Sequence, residues 1–185
     1  MTKARLGLLV LFLLASREAE AQTPRVERVV IFERGLYHAQ TGKVLAGGSM
    51  GNVRSSYNAR LVSRTTNVPG QVHQRFGVRY IVSGVPQGGT VELTLVTRLP
   101  PGGAEDPITG RRHFVQEYRL PVKIGTPQYR DFHFDEAWEA VPGRWALEFW
   151  YGAKKLNEQI FCVFNPENTT PAVGCDELVS MLLSK

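Results

Sequence analysis

The stretch GGSMG, residues 47–51, contains the residue types that could most directly perform catalysis. It satisfies the pattern Gly-x-Ser-x-Gly, which in α/β hydrolases places a nucleophilic serine on a strained turn between a strand and a helix. A hydrolase of this kind would combine Ser49 with strand-separated partners such as His113 and Asp106. The residues that follow, NVRSSY, lack helical apolar periodicity. The sequence therefore favours a glycine-rich hairpin loop over a catalytic turn.

The remaining polar residues show no arrangement typical of a cofactor or metal site. The histidines fall in separate predicted strands, without His-x-His or His-x3-His spacing. No phosphate-binding loop, dinucleotide fingerprint or Cys/His cluster occurs. We predict a protein that is not an enzyme, with no catalytic residues, no metal and no cofactor.

Basic residues are concentrated in the first half of the chain. Residues 22–85 contain nine Lys and Arg against two Asp and Glu, a net charge of +7. An excess of this kind is typical of an anion-binding face, although opposite charges can also pair across strands. The candidate contact residues are Arg54, Arg60 and Arg64. Nucleic acid is not expected as a partner, because the chain has no recognisable nucleic-acid-reading motif.

The segment 145–151 alternates in a way that separates a core from a candidate ligand platform. Trp145, Leu147 and Phe149 share one face, and Trp150 points to the other. Burial of the aromatic face explains the dense apolar run without a ligand. Trp150 is the exception, and we treat it as a candidate ligand anchor.

The chain has two cysteines, Cys162 and Cys175. In an exported protein this even count predicts one disulfide, which would close a short loop and stabilise the fold by roughly 3 kcal/mol. A redox role is less favoured because Cys-x-x-Cys spacing is absent.

Period-two apolar alternation, interrupted by Gly and Pro clusters, predicts an all-β protein. We expect a long first strand at 26–39, one hairpin from strands at 73–83 and 90–99, and a second hairpin from strands at 145–151 and 156–164. The loop 100–110 is expected to lack regular structure. Asp135 is expected to cap one helical turn, and the tail is expected to carry a short amphipathic helix.

The first residues predict a secretory signal. Two bases precede a ten-residue apolar run and a small-x-small cleavage site at residues 19–21. We expect residues 1–21 to be a signal peptide, residues 22–165 a β-sandwich domain, and residues 166–185 a disulfide-tethered tail. The predicted location is the periplasm or the medium, with no transmembrane segment in the mature chain.

Several motifs resemble the bacterial domain-of-unknown-function family numbered 3859. They are ERGLYHA (33–39), RFGVRY (75–80), DPITG (106–110) and FDEAWEAVPGRWALEFWYGAKKL (134–156), followed by FCVF. The resemblance implies a secreted immunoglobulin-like antiparallel sandwich of about 7–9 strands. It carries no catalytic residues over to this chain.

Together these features predict an exported binding or accessory module that contacts an envelope protein or an anionic envelope polymer. Two alternatives stay open at this stage. One is a secreted hydrolase with a strand-assembled site containing Ser49 and His113. The other is a structural module that pairs with a partner through an exposed edge strand.

Overall fold

A computed structural model describes residues 23–48, 50–167 and 175. In these residues nearly every apolar run forms a strand, and the only helical element is a 3₁₀ turn at Ala137–Glu139. No helix in this part of the chain is long and apolar enough to cross a membrane. The predicted signal peptide, Ser49 and the predicted tail helix lie outside the described residues. The strands are β1 (Arg25–Gly48), β2 (Gly51–Ser63), β3 (Asn67–Pro69), β4 (Arg75–Val85), β5 (Thr90–Arg98), β6 (Ala104–Glu105), β7 (Arg112–His113), β8 (Val115–Lys123), β9 (Gln128–His133), β10 (Gly143–Tyr151) and β11 (Lys154–Phe164).

Two sheets form the sandwich. One has the strand order β2-β1-β4-β9, and the other has the order β3-β11-β10-β5-β8. Neighbouring strands are antiparallel except for β3, which runs parallel to the end of β11. The strands β6 and β7 form a separate two-stranded ribbon. The predicted all-β antiparallel sandwich is confirmed, with nine strands in its two main sheets.

The core lies between the sheets and is rich in aromatic side chains. Trp145 is fully buried, and its ring lies 5.0 Å from Phe132 and 5.6 Å from Phe134 between ring centroids. Phe149 and Phe161 are also fully buried. The dense apolar stretch at 142–164 therefore builds the core hairpin β10–β11, as the alternation predicts.

The predicted hairpin between β4 and β5 is wrong. The strand β4 pairs with β1 and β9, whereas β5 pairs with β10 and β8 in the opposite sheet. The turn at 86–89 carries the chain across the edge of the sandwich, where the backbone N–H of Gly88 donates to the carbonyl of Ile124 at 3.0 Å. Both strands bury alternate residues in one shared core, so period-two alternation does not distinguish pairing within a sheet from packing across the sandwich.

The strand β1 is much longer than its predicted extent of 26–39. Its first half pairs with β4, and from Leu36 onward it pairs with β2 to form a long hairpin. Gly35 lies where the partner changes, and a Cβ there would approach the carbonyl oxygen of Ser63 to 2.0 Å. The distal part of the hairpin continues beyond the start of β4 and lies against β8 and β9, which are edge strands. Met50, near its tip, is buried in the main core.

Two further predictions concern the loops and the cysteines. The segment 100–110, expected to be irregular, contributes β6, which pairs with β7 because the chain reverses within it. The predicted disulfide between Cys162 and Cys175 is confirmed, with 5.8 Å between the two Cα atoms.

Candidate binding site

A cleft of about 220 Å³ lies where the β1–β2 hairpin crosses the edges of β8 and β9. We call it the hairpin cleft. Its lining runs from exposed residues, such as Arg54 and Asp135, to buried ones, such as Phe132. Its apolar lining includes Leu45, Met50, Val53, Leu95, Leu120 and Phe132. Its polar lining combines both charge signs, so the pairing of those charges decides what the cleft can bind.

A buried ion pair between β4 and β9 binds polar side chains of the β1–β2 hairpin and so connects the hairpin to the sandwich. The Arg75 and Asp131 side chains are only 7% and 10% exposed, and the Arg75 guanidinium donates to the Asp131 carboxylate. Ser56 donates to the same carboxylate at 3.0 Å and accepts from Arg75 at 2.7 Å. Arg75 also donates to the Thr41 hydroxyl at 3.1 Å. These four residues form what we call the hairpin latch, in which the carboxylate neutralises the guanidinium.

Arg130 is a second buried cation, and its surroundings are different. The residue is 3% exposed, and it donates to the backbone carbonyl of Glu148 at 2.6 Å and to the Thr97 hydroxyl at 2.9 Å. Its guanidinium lies 5.2 Å from the ring centroid of Phe149. Among the described residues no carboxylate forms an ion pair with it, and its Nε–H has no acceptor. Burial lowers the pKa of Arg130, but arginine still stays charged in proteins.

A third cluster lies at the base of the hairpin around Glu33. Arg79 Nε lies 3.0 Å from the Glu33 carboxylate, and Arg64 lies 3.8 Å from it. The Tyr37 hydroxyl donates to Glu33 at 3.0 Å, and its ring packs 4.8 Å from that of Tyr129. Burial raises the pKa of Tyr37, and Glu33 raises it further. The predicted contact residue Arg64 is therefore a peripheral partner in an ion pair, with 67% of its side chain exposed.

The structure places the other two predicted arginines on the exposed side of the hairpin. Arg54 lines the mouth of the hairpin cleft, and Arg60 lies opposite His38 in the strand register. Of the nine bases in residues 22–85, three pair with Glu33 or Asp131. Within the described ranges, the other six are exposed and form no ion pair. These six are Arg25, Arg28, Arg34, Lys43, Arg54 and Arg60.

Trp150 does not lie near these arginines, because β10 belongs to the other sheet. It is half-buried, and its indole N–H donates to the Glu148 carboxylate at 2.8 Å. Glu148 also accepts from Arg98 at 2.8 Å. Burial raises the pKa of Glu148, but these hydrogen bonds outweigh that effect and hold the pKa below its ordinary value. The position gives Trp150 a local structural contact, separate from the basic surface.

The hydrolase alternative has two residues in the described part of the chain. His113 is buried, with its ring 5.9 Å from that of Trp138. The Asp106 carboxylate accepts from the Thr109 hydroxyl at 2.7 Å and the Ile108 N–H at 2.8 Å, which lower its pKa. The Asp106 carboxylate therefore stabilises the turn at residues 106–109. Ser49 lies outside the described residues. Across residues 23–48, 50–167 and 175, no group of three or more His, Cys, Asp or Glu is placed to hold a metal ion.

Glu139 is a buried carboxyl on the 3₁₀ turn beside the cleft. Its carboxylate accepts the backbone N–H of Asp135 at 2.6 Å and of Glu136 at 3.1 Å. The prediction that Asp135 caps this turn is wrong: Glu136 is the N-cap, and the Asp135 carboxylate lies 2.9 Å from His133 Nδ1. Burial raises the pKa of Glu139 to about 7, against the effect of the two backbone hydrogen bonds.

This raised pKa predicts a specific dependence of stability on pH. The unfolded chain loses the Glu139 proton near pH 4.5 and the folded chain near pH 7, so this group favours the folded state at low pH. Between those values the free energy of unfolding of the wild type should fall relative to Glu139→Gln, by about 3 kcal/mol at most. Urea denaturation from pH 4 to 8 measures the difference. The exposed neighbour Glu136→Gln is the matched control, and parallel curves for wild type and Glu139→Gln would contradict the assignment.

The packed sheets, the core hairpin and the nearly helix-free chain define an immunoglobulin-like β-sandwich. The chain is similar to the crystal structure of an immunoglobulin-like protein from Pseudomonas aeruginosa, with 26% sequence identity and a TM-score of 0.51. The alignment covers 77% of this chain and 98% of that one. No family model matches the chain, and no curated protein matches it. These comparisons bear on the fold and leave the ligand open.

Sequence reasoning did not identify Arg75, Asp131 or Arg130 as site residues. One signal for Arg130 was present, because it alternates with Phe132 in β9 and with Phe134 just after that strand, and so shares their inward face. An arginine on the same face as two phenylalanines is the pattern that indicates a buried charge. No comparable signal exists for Asp131, because its partners Ser56 and Arg75 come from distant parts of the chain.

Proposed function

We propose that this protein is an exported, non-enzymatic β-sandwich module that binds an anionic envelope polymer. The binding surface is the exposed side of the β1–β2 hairpin together with the adjoining part of β1. The observation that supports the proposal best is the set of six exposed bases that form no ion pair within the described residues. Paired charges would have explained the basic excess without a ligand, and only three of the nine bases are paired.

The spread of these charges favours a polymer over a small ligand. Arg28 and Arg34 are six residues apart on one strand, a separation of about 20 Å at the usual rise per residue. Lys43, Arg54 and Arg60 extend the charge along the hairpin. A small anion contacts one or two such groups, whereas an extended polyanion contacts many at once.

Export is part of the proposal and is supported by the signal-like first residues and by the disulfide between Cys162 and Cys175. The resemblance to family 3859 rests on the quoted motifs alone. It agrees with an accessory role in the bacterial envelope and assigns no activity.

The test uses dextran sulfate as the polyanion and uncharged dextran as its control. The triple variant Arg54→Gln, Arg60→Gln, Arg64→Gln should bind dextran sulfate roughly tenfold more weakly at low salt, at about 0.5 kcal/mol per exposed charge. The difference should shrink as salt screens the charges. Fluorescence anisotropy with labelled polymer measures both effects.

A second triple variant separates location from net charge. Arg111, Lys123 and Lys154 are exposed bases outside the hairpin, and replacing all three with Gln removes the same total charge. This control should retain nearly wild-type affinity. If both triple variants bind dextran sulfate equally weakly, the effect comes from net charge and not from the hairpin surface. Unchanged binding of the hairpin variant at low salt would refute the proposed surface.

A further inference from the structure

Arg130 carries a charge that the described protein groups do not neutralise. Its hydrogen-bond acceptors are the backbone carbonyl of Glu148, the Thr97 hydroxyl and the Tyr118 hydroxyl, which are all neutral, and its Nε–H has no acceptor. Arg75, the other buried arginine of the cleft, has the Asp131 carboxylate as its partner. A buried unpaired cation is costly, and arginine does not relieve that cost by losing its proton. The site therefore favours an anion over a neutral ligand.

The phenolic side chains of Tyr80 and Tyr118 lie near this cation. Tyr80 is fully buried, packs 4.6 Å from the Phe149 ring that Arg130 covers, and its hydroxyl has no hydrogen-bond partner. Tyr118 lies beside Arg130 and lines the hairpin cleft with it. Tyr129, in the same lining, packs on Tyr37 and lies near Asp131 of the hairpin latch. Hydroxyls of this kind donate readily to a carboxylate.

We infer that the hairpin cleft binds a small organic monocarboxylate, with its carboxylate held by Arg130 and Tyr118 and its apolar tail packed on Leu95, Leu120 and Phe132. The inference concerns a different class of ligand from the polymer, and its binding groups Arg130 and Tyr118 are not part of the polymer surface, which shares only Arg54 with the cleft lining. Either can fail without the other.

The size and charge of the cleft select this class of ligand. A volume of about 220 Å³ is that of roughly seven water molecules, enough for an acid of about six carbons. The lining also contains Asp131, Asp135 and Glu139, with Asp131 neutralised by Arg75. Arg130 is the one buried cation of the lining without an ion pair among the described residues, whereas Arg54 is exposed to solvent. One buried unpaired cation beside these acids favours a single negative charge over a phosphate dianion. The apolar lining favours a ligand with a hydrocarbon tail over an inorganic ion.

The test titrates the full mature chain with hexanoate and, as the uncharged isostere, hexanamide, followed by isothermal calorimetry and thermal unfolding. Hexanoate should bind and raise the melting temperature, and hexanamide should bind roughly tenfold more weakly or worse, since it lacks the charge that pairs with Arg130. Equal affinity for the two compounds, or no binding of hexanoate, would overturn the inference.

Two variants test whether hexanoate binds at Arg130 and Tyr118. Arg130→Met keeps the side-chain length, removes the unpaired charge and should fold at least as stably, while hexanoate affinity falls roughly tenfold or more. Tyr118→Phe keeps the ring and should weaken hexanoate several-fold. Hexanoate binding within about twofold of wild type in a folded Arg130→Met protein would refute the site. Dextran sulfate binding should be unchanged in Arg130→Met, which separates this result from that for the hairpin surface.

Discussion

Replacing Asp131 with Ala is expected to lower the free energy of unfolding by about 3–5 kcal/mol. The substitution removes the carboxylate partner of Arg75, whose side chain is 7% exposed and has only the hydroxyls of Ser56 and Thr41 left to accept from it. A buried guanidinium without a counter-ion is costly, so the loss should exceed that of an ordinary hydrogen bond. Guanidinium chloride unfolding measures the change.

The double variant Arg75→Met, Asp131→Ala is the control for this prediction. It removes both charges, and it should recover a large part of the lost stability because no uncompensated ion remains. Amide hydrogen exchange should show residues 41–56 opening more readily in Asp131→Ala, since the latch fastens the hairpin to β9. A loss below about 1 kcal/mol, with exchange unchanged, would mean that the latch does not hold the hairpin.

The second large effect is expected at Trp145 in the core hairpin. Trp145→Ala should cost about 3–5 kcal/mol, because the side chain is fully buried among Phe76, Phe132 and Phe134. The indole N–H also donates to the carbonyl of Val141 at 2.8 Å. For a domain stable by roughly 5–15 kcal/mol, this is a large fraction of the total. Urea unfolding followed by circular dichroism measures it.

Trp145→Phe separates packing from hydrogen bonding at this position. It keeps most of the aromatic area and loses the indole donor, so its cost should be clearly smaller than that of the alanine variant. Trp150→Ala is a useful comparison, because Trp150 is only half-buried. If Trp150→Ala costs more than Trp145→Ala, the assignment of the two faces of β10 is wrong.

The strands that bury one clear face could be predicted from the sequence. Along β10, Trp145, Leu147 and Phe149 alternate and all face the core. The pairing of β10 with β11 was predicted, but the partners of β4 and β5 were not, because these two strands direct the same alternation into the same core from opposite sheets. Burial determines which side chains of a strand face the core. The path of the chain at each turn determines which strands pair.

A glycine-rich hairpin loop at 47–51 was predicted, but the length of the strands on either side of it was not. Residues 40–56 contain glycines, serines and charges with weak alternation, so local sequence does not indicate a strand. The strand conformation there is stabilised by long-range contacts, such as those of Ser56 with Asp131 and Met50 with the core. The hairpin cleft and its latch exist only through those contacts, and a sequence pattern does not contain them.

The charge excess was visible in the sequence, but its pairing was not. Arg54 and Arg60 are exposed without a described ion pair, whereas Arg64 lies near Glu33. Of the two buried arginines, Arg75 was counted among the ordinary bases of residues 22–85, and Arg130 was not singled out. Burial distinguishes them, and burial of a single charged residue follows from tertiary packing.

The most direct test of the polymer-binding surface is a ¹⁵N–¹H NMR titration of the mature protein with dextran sulfate at low salt. We predict that shifts concentrate on amides of the β1–β2 hairpin and the start of β1, around Arg28, Arg34, Arg54 and Arg60, and that they reverse when salt is added. Shifts concentrated around Trp150 on the opposite sheet, or none at low salt, would contradict the proposed function.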